Sequence, residues 1–239
     1  MTSNQATSMK LLMIDTSSIV ATAAVLKDSQ LMCETIVNYK KKHSEKMMPA
    51  IDHMLKDAGL TIQEMDAFGI VIGPGSFTGI RIGLATVKGL AQALNKPVVA
   101  VNALEGLAYN LPYTEGLIYP ILDAQRNEGY TAGFTFKNGQ MHTVMQAAVL
   151  PIEEMITQLK ATKADAIYLL GDGVDRFYDS LQAAGLPVKR VKAHLTMNRA
   201  SSSGQLAMER LLAGKTTDFY QVEPLYLRKS YAEEHKKNG

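Results

Sequence analysis

Between Val71 and Gly83 the sequence reads VIGPGSFTGIRIG, four glycines and a proline in thirteen residues. Such a turn ahead of an apolar segment is suited to cradle a phosphate, to seat a dinucleotide, or to let backbone elements close on one another. A Walker-type loop needs a lysine and then Ser or Thr, so that an ammonium reaches the outer phosphates and a hydroxyl ligates magnesium. Here Ile80 and Arg81 follow Gly79. The spacing of Gly73, Gly75 and Gly79 resembles a lengthened dinucleotide fingerprint, yet the next strand closes at Val101 and Asn102 without an acidic residue for the ribose. What remains is a strand-to-helix turn in which Gly75 takes positive φ while Gly79 and Gly83 admit a close neighbour.

Metal chemistry finds little to work with. The histidines, His43, His53, His142, His194 and His235, stand apart, and none makes a pair at ligand spacing. The single Cys33 excludes an internal disulfide. Basic runs at Lys40–Lys42, at Lys189, Arg190 and Lys192, and at Lys236–Lys237 have no interleaved aromatics in the sequence and read as solvated charge.

The elements that must position the turn follow from periodicity. Apolar runs at Leu11–Ile14, Val20–Leu26 and Leu31–Val37, broken by DTSS and KDSQ, predict three antiparallel strands. Ser44 is placed to cap a helix carrying Met47, Met48, Ile51, Leu55 and Ala58, with Pro49 inside it and Gly59 at its end. FGIVIG is a buried parallel strand, a helix runs from about Thr78 to Leu94, and PVVAV is the next strand. This helix has two apolar faces, one of Ile80, Leu84, Val87, Ala91 and Leu94, the other of Ile82, Thr86, Gly89, Leu90 and Ala93. Covering one sheet needs only one stripe, so the second predicts burial against another body.

A second cycle starts at Tyr119. Placing Asp123 on Asp15 sets Leu122 on Ile14, Ala132 on Ala24 and Phe134 on Leu26, which suggests an internal duplication. A helix at Ile152–Leu159, the strand AIYLLG, the turn GDG at Gly171–Gly173, a helix from Val174 to Ala184 and one capped by Ser201–Ser203 complete the pattern. The reading gives two domains, 9–112 and 117–228, with a polar tail over 229–239 and residues 1–8 as an extension outside the fold. With 46% hydrophobic residues and a net charge of +2, the chain has material for a core and no charge excess that would coat nucleic acid. The short apolar run before Asp15 and the absence of any membrane-length run predict a cytoplasmic protein with no membrane contact.

The segments IDTSS, GPGSFTGIRIGLATVKGLAQAL, PVVAVNALEGLA and ILDAQRNEGY together resemble the TsaB family, also called YeaZ, over essentially the whole chain. The resemblance implies an α/β fold of the actin-like ATPase type, shared with sugar kinases and Hsp70, in two duplicated domains of which the second is reduced. It also implies work in adding threonylcarbamoyl to the adenosine beside the anticodon of tRNAs. In that group the chemistry belongs to a TsaD-type sibling with a metal-binding His-x-x-x-His helix; Ala103 and Leu107 stand at those positions here.

The actin-like fold would place a nucleotide near Asp15, Thr16, Ser17, Gly171 and Gly173, of which only weak binding is expected. The expected role is therefore a non-catalytic subunit with no cofactor and no metal. It pairs with the TsaD-type protein through Met47, Met48, Ile51, Gly79, Ile82, Gly83, Thr86 and Leu90, admits a TsaE-type ATPase, meets tRNA only through the complex, and forms a homodimer when alone. The rival reading is an ATPase or phosphotransferase in its own right, using Asp15, Thr16 and Asp123 with magnesium; a metallo-hydrolase is a third.

Overall fold

A computed structural model describes residues 8–38 and 43–228, the side chains of 43–46 excepted. Residues 1–7 of the proposed 1–8 extension, the Lys40–Lys42 run, His235 and the 229–239 tail lie outside the described residues, whereas Ser44 falls inside a helix that opens at His43 and so does not cap it. Two five-stranded sheets account for the strands, in the orders β3-β2-β1-β4-β5 and β8-β7-β6-β9-β10. In the first, β1 (Lys10–Asp15) pairs antiparallel with β2 (Val20–Lys27) and parallel with β4 (Ala67–Val71). Its edges are β3 (Gln30–Asn38) and β5 (Val98–Val101). In the second, β6 (Leu117–Asp123) lies between β7 (Glu128–Lys137) and β9 (Ile167–Leu170), with β8 (Gln140–Pro151) and β10 (Val188–Arg190) at the edges.

The strand-for-strand match is the duplicated α/β architecture that the resemblance implies. Reduction of the second half shows in its helices. α1 (His43–Asp57) and α2 (Phe77–Leu94), of 15 and 18 residues, cover the outer face of the first sheet. Their counterparts α4 (Ile152–Thr162) and α5 (Val174–Ala183) have 11 and 10.

The remaining helices are exchanged. α3 (Ala103–Ala108) follows the first sheet but packs on β6 and β7, while α6 (Ala200–Leu212) follows the second sheet but packs on β1, β2 and β5. One apolar core between the sheets results, joining Leu11, Met13 and Leu26 to Ile118, Leu122 and Phe134 through Leu104 and Ala207. β1, β2 and β4 are therefore buried on both faces and read as unbroken apolar runs.

Side-chain alternation corrects the duplication register. Ala24 and Ala132 share the inner core, as do Leu26 and Phe134, so that part of the alignment holds. Ile14, however, faces the outer core beneath α1 and α2, whereas Leu122 faces inward. A one-residue slip exchanges the faces of a strand, so Asp15 corresponds to Leu122 and Asp123 lies one residue beyond.

The Ser201–Ser203 cluster is no cap. α6 begins at Ala200, and its first turn is served from the other half of the chain, where Glu34 of β3 accepts the Ser201 N–H at 3.0 Å and the Ser201 hydroxyl at 2.7 Å. The first three residues of the VKRVK run form β10, an edge strand whose Lys189 and Arg190 lie over the rings of Tyr168 and Tyr178. Short, charged edge strands resist pairing with foreign strands.

Candidate functional site

The glycine turn closes on the β1–β2 hairpin. Gly75, at φ +153°, brings its backbone so near the Ser17 carbonyl that a Cβ there would lie 2.1 Å from the oxygen. The Ser76 N–H donates to the same carbonyl at 2.7 Å, and the Ser76 side chain caps α2 by accepting from the Gly79 N–H at 3.2 Å. One turn on, the Thr16 hydroxyl donates to the Gly79 carbonyl at 2.7 Å, and a Cβ on Gly83 would fall 2.3 Å from that hydroxyl oxygen. These glycines face their own chain.

Opposite, Gly171 and Gly173 repeat the arrangement against β6. The Gly173 N–H donates to the Ile121 carbonyl, the Gly171 N–H to that of Thr196, and Asp172 Oδ1 accepts from the Asp123 N–H. The expected nucleotide cradle is thus engaged with the protein itself. Ser17 donates both its N–H and its hydroxyl to Asp15 Oδ1, at 2.8 and 2.6 Å, and Ser18 donates to Asn198 Oδ1 at 2.6 Å. As folded, these donors are engaged with partners within the chain.

Asp15 is buried, while Asp123 is exposed, pairs with Arg176 and lines the cleft that Ser17 and Ser18 also line. Two adjoining clefts of ≈ 400 and ≈ 430 Å³ separate the halves, sharing Ser18, Leu122, Asp172 and the exposed Ile19.

The outer side of α2 is different in kind. Ile80, Leu84, Val87 and Ala91 are buried on the sheet, as the first stripe predicts. Ile82, Thr86 and Leu90 remain half-buried, Ala85, Gly89 and Ala93 are exposed, and a Cβ on Gly89 would meet nothing within 4 Å. Beside it, α1 exposes Met48 by 39%. Four of the residues expected at a partner contact do not reach this surface: Met47 and Ile51 lie in the outer core, and Gly79 and Gly83 lie against Thr16. Small and apolar residues on one helix do not declare which face they occupy until its phase is fixed.

α3 carries Ala103 and Leu107 one turn apart, both packed in the inter-sheet core. Neither side chain can ligate a metal. Among the described residues, no group of three or more His, Cys, Asp or Glu is placed to hold one. No helix among them is long and apolar enough to cross a membrane.

Contacts that join the halves went unread in the sequence, because their partners lie more than 160 positions apart. Asn198 reaches Ser18 and donates to the Val20 carbonyl at 3.0 Å. Arg199 pairs with Glu34, whose side chain is 8% exposed. Burial pushes the Glu34 carboxyl up, but hydrogen bonds from Arg199 and Ser201 outweigh it and leave the pKa lowered. Burial also dominates at Asp15, raising its pKa against bonds from Ser17 and Asn198.

The two carboxyls therefore act oppositely on stability. Glu34 stabilises the fold above its unfolded pKa, and that contribution is lost as pH falls through the lower folded value. Asp15 costs stability as pH rises through its raised folded value. Glu34→Ala is expected to cost about 3 kcal/mol at neutral pH by stranding Arg199, a deficit that shrinks towards pH 3. Asp15→Asn, which keeps an acceptor for Ser17, removes the loss on the alkaline side. Urea unfolding across pH 3–8 reads both.

The comparisons with known proteins agree with one another. The family model described as TsaD, tRNA N6-adenosine threonylcarbamoyltransferase, matches residues 30–236. The Bacillus subtilis protein named tRNA threonylcarbamoyladenosine biosynthesis protein TsaB is 36% identical over 161 residues, 67% of this chain and 70% of its own. Its Escherichia coli namesake is 26% identical over 227 residues, 94% and 96% of the two chains. The solved structure of YeaZ from Pseudomonas aeruginosa superposes with a TM-score of 0.79 at 27% identity, covering 92% of this chain and all of the other. With the quoted segments, the duplicated sheets and relatives that span the fold from end to end, the chain belongs to the TsaB (YeaZ) family.

Proposed function

We propose that this chain serves tRNA threonylcarbamoyladenosine biosynthesis in the cytoplasm as a non-catalytic subunit. It docks a TsaD-type, metal-bearing transferase on the outer stripe of α2 and on Met48 of α1, and it supports the entry of a TsaE-type ATPase. Contact with tRNA runs through the complex, and without its partner the chain self-associates on the same stripe. The observation that carries this reading is the run Ile82, Ala85, Thr86, Gly89, Leu90 and Ala93, half-buried or exposed on a helix whose only charges are Arg81 and Lys88. Such a face is unfavourable in water unless another body covers it. The names of the relatives supply the pathway.

The test is tRNA threonylcarbamoylation reconstituted from purified transferase, ATPase and threonylcarbamoyl-adenylate, with and without this chain. The reading requires modification to depend on the chain while the chain alone turns over no ATP. Equal modification in its absence, or magnesium-dependent ATP turnover by the chain alone, overturns it.

A further inference from the structure

Residues 217–228 form a strap that touches the glycine turn, the start of α2 and the second half of the chain in succession. Thr217 bridges to Val98 at the free edge of β5, and Val222 is buried in the outer core. The Leu225 N–H donates to the Ile72 carbonyl at 2.8 Å, and Gly73 has room for no Cβ because the Leu225 carbonyl would lie 2.7 Å from it. Tyr226 then stacks on Phe77, with centroids 4.7 Å apart and planes at 19°, and its hydroxyl accepts from Arg81 Nε at 2.9 Å. Leu227 packs against the core shared by both sheets. Arg228 donates to the Ala124 carbonyl at 2.8 Å and pairs with Glu128.

Ala124 and Glu128 bracket the β6–β7 turn, which holds three successive non-glycine residues, Gln125, Arg126 and Asn127, at φ of 61°, 50° and 61°. Each such residue costs about 1–2 kcal/mol and persists only where its surroundings over-determine it. Arg228 grips both ends of this turn, and two residues earlier the same strap holds the first turn of α2. The strap is thus a continuous physical link between an inter-domain cleft, whose wall includes Gln125, Arg126 and Arg228, and the helix that carries the outer stripe.

We propose that Tyr226 and Arg228 are positioning residues for docking, through which the β6–β7 turn sets the placement of α2 and hence the affinity of this subunit for its partner. The inference rests on the docking reading above and adds to it a coupling between the cleft and the docking face.

Two readouts test it: amide hydrogen exchange of residues 77–83 in the chain alone, and affinity for the purified TsaD-type transferase by calorimetry. Arg228→Ala is expected to speed exchange over 77–83 and to weaken pairing by about three- to tenfold, although Arg228 lies off the stripe. Tyr226→Phe, which removes only the hydroxyl that Arg81 bonds, moves both readouts the same way by less, and it carries the test if Arg228→Ala fails to fold. Arg190→Ala breaks the exposed pair with Asp175, which touches neither the strap nor the turn, and leaves both within twofold of wild type.

Exchange and affinity both unchanged in Arg228→Ala overturn the proposal. So does faster exchange with unchanged affinity, since the strap would then be structural alone. If the wild-type chain does not pair with the transferase at all, the docking reading falls and the coupling with it. The wild-type control keeps that failure distinct from failure of the strap.

Discussion

Gly79→Ala is expected to cost the fold about 4 kcal/mol or more, while Gly89→Ala on the same helix stabilises it by about 0.5–1 kcal/mol. The new methyl at position 79 would sit 2.0 Å from the Thr16 carbonyl oxygen and 3.2 Å from its carbon. Both are backbone atoms of the β1–β2 hairpin, which moves only by surrendering the buried Thr16–Gly79 hydrogen bond and the packing behind it. At position 89 the methyl enters open space and only helix propensity changes. A loss of 4 kcal/mol is a large part of the ~5–15 kcal/mol that holds a domain of this kind together. Urea unfolding followed by circular dichroism compares the variants directly. A Gly79→Ala protein within 1 kcal/mol of wild type would mean that the hairpin is not held as described.

Leu90→Asp should leave the chain folded and weaken transferase pairing by roughly 100-fold or more, the scale of stranding a carboxylate in an apolar contact. Leu90 is half-buried, packing in part against the outer core, so the substitution takes some stability from the free subunit and becomes far more costly on docking. Ile82→Asp, two turns earlier, should act alike. Met47→Asp should instead unfold the chain, since Met47 is 2% exposed on the face of α1 that packs into the outer core. Calorimetric titration with the transferase, beside thermal melts of each variant, separates these outcomes. Unchanged affinity in both Leu90→Asp and Ile82→Asp would remove α2 as the docking face.

The contrast between Leu90 and Met47 shows where reading the sequence stops. Alternation and apolar runs locate β1, β2, β3 and β4, because a strand buried on one or both faces must spell its burial in residue types. The two stripes of α2 were legible for the same reason. Which of Met47, Met48 and Ile51 faces outward was not, since all three are apolar and only the seating of α1 on the sheet sorts them. α3, with six residues, is too short for a period to emerge. Asn198, Glu34 and Arg228 act across the gap between the halves, and nothing in their own neighbourhoods announces a partner so distant. The turn Gln125–Asn127 left no glycine signal either, because its left-handed residues are closed by bonds from Asp123 and between Ala124 and Glu128, with Arg228 bonding its two ends from outside.

The exchange of α3 and α6 has a consequence during synthesis. The inner face of the first sheet is complete once Val101 has been made, yet the helix that covers it ends only at Leu212. At about 5–20 residues per second, that apolar face waits roughly 5–20 s for its cover. The nascent chain therefore emerges from the ribosome with an open sticky surface that no early folding step can close. Chaperone binding should concentrate on chains arrested between these two points and fall away once α6 has cleared the exit tunnel.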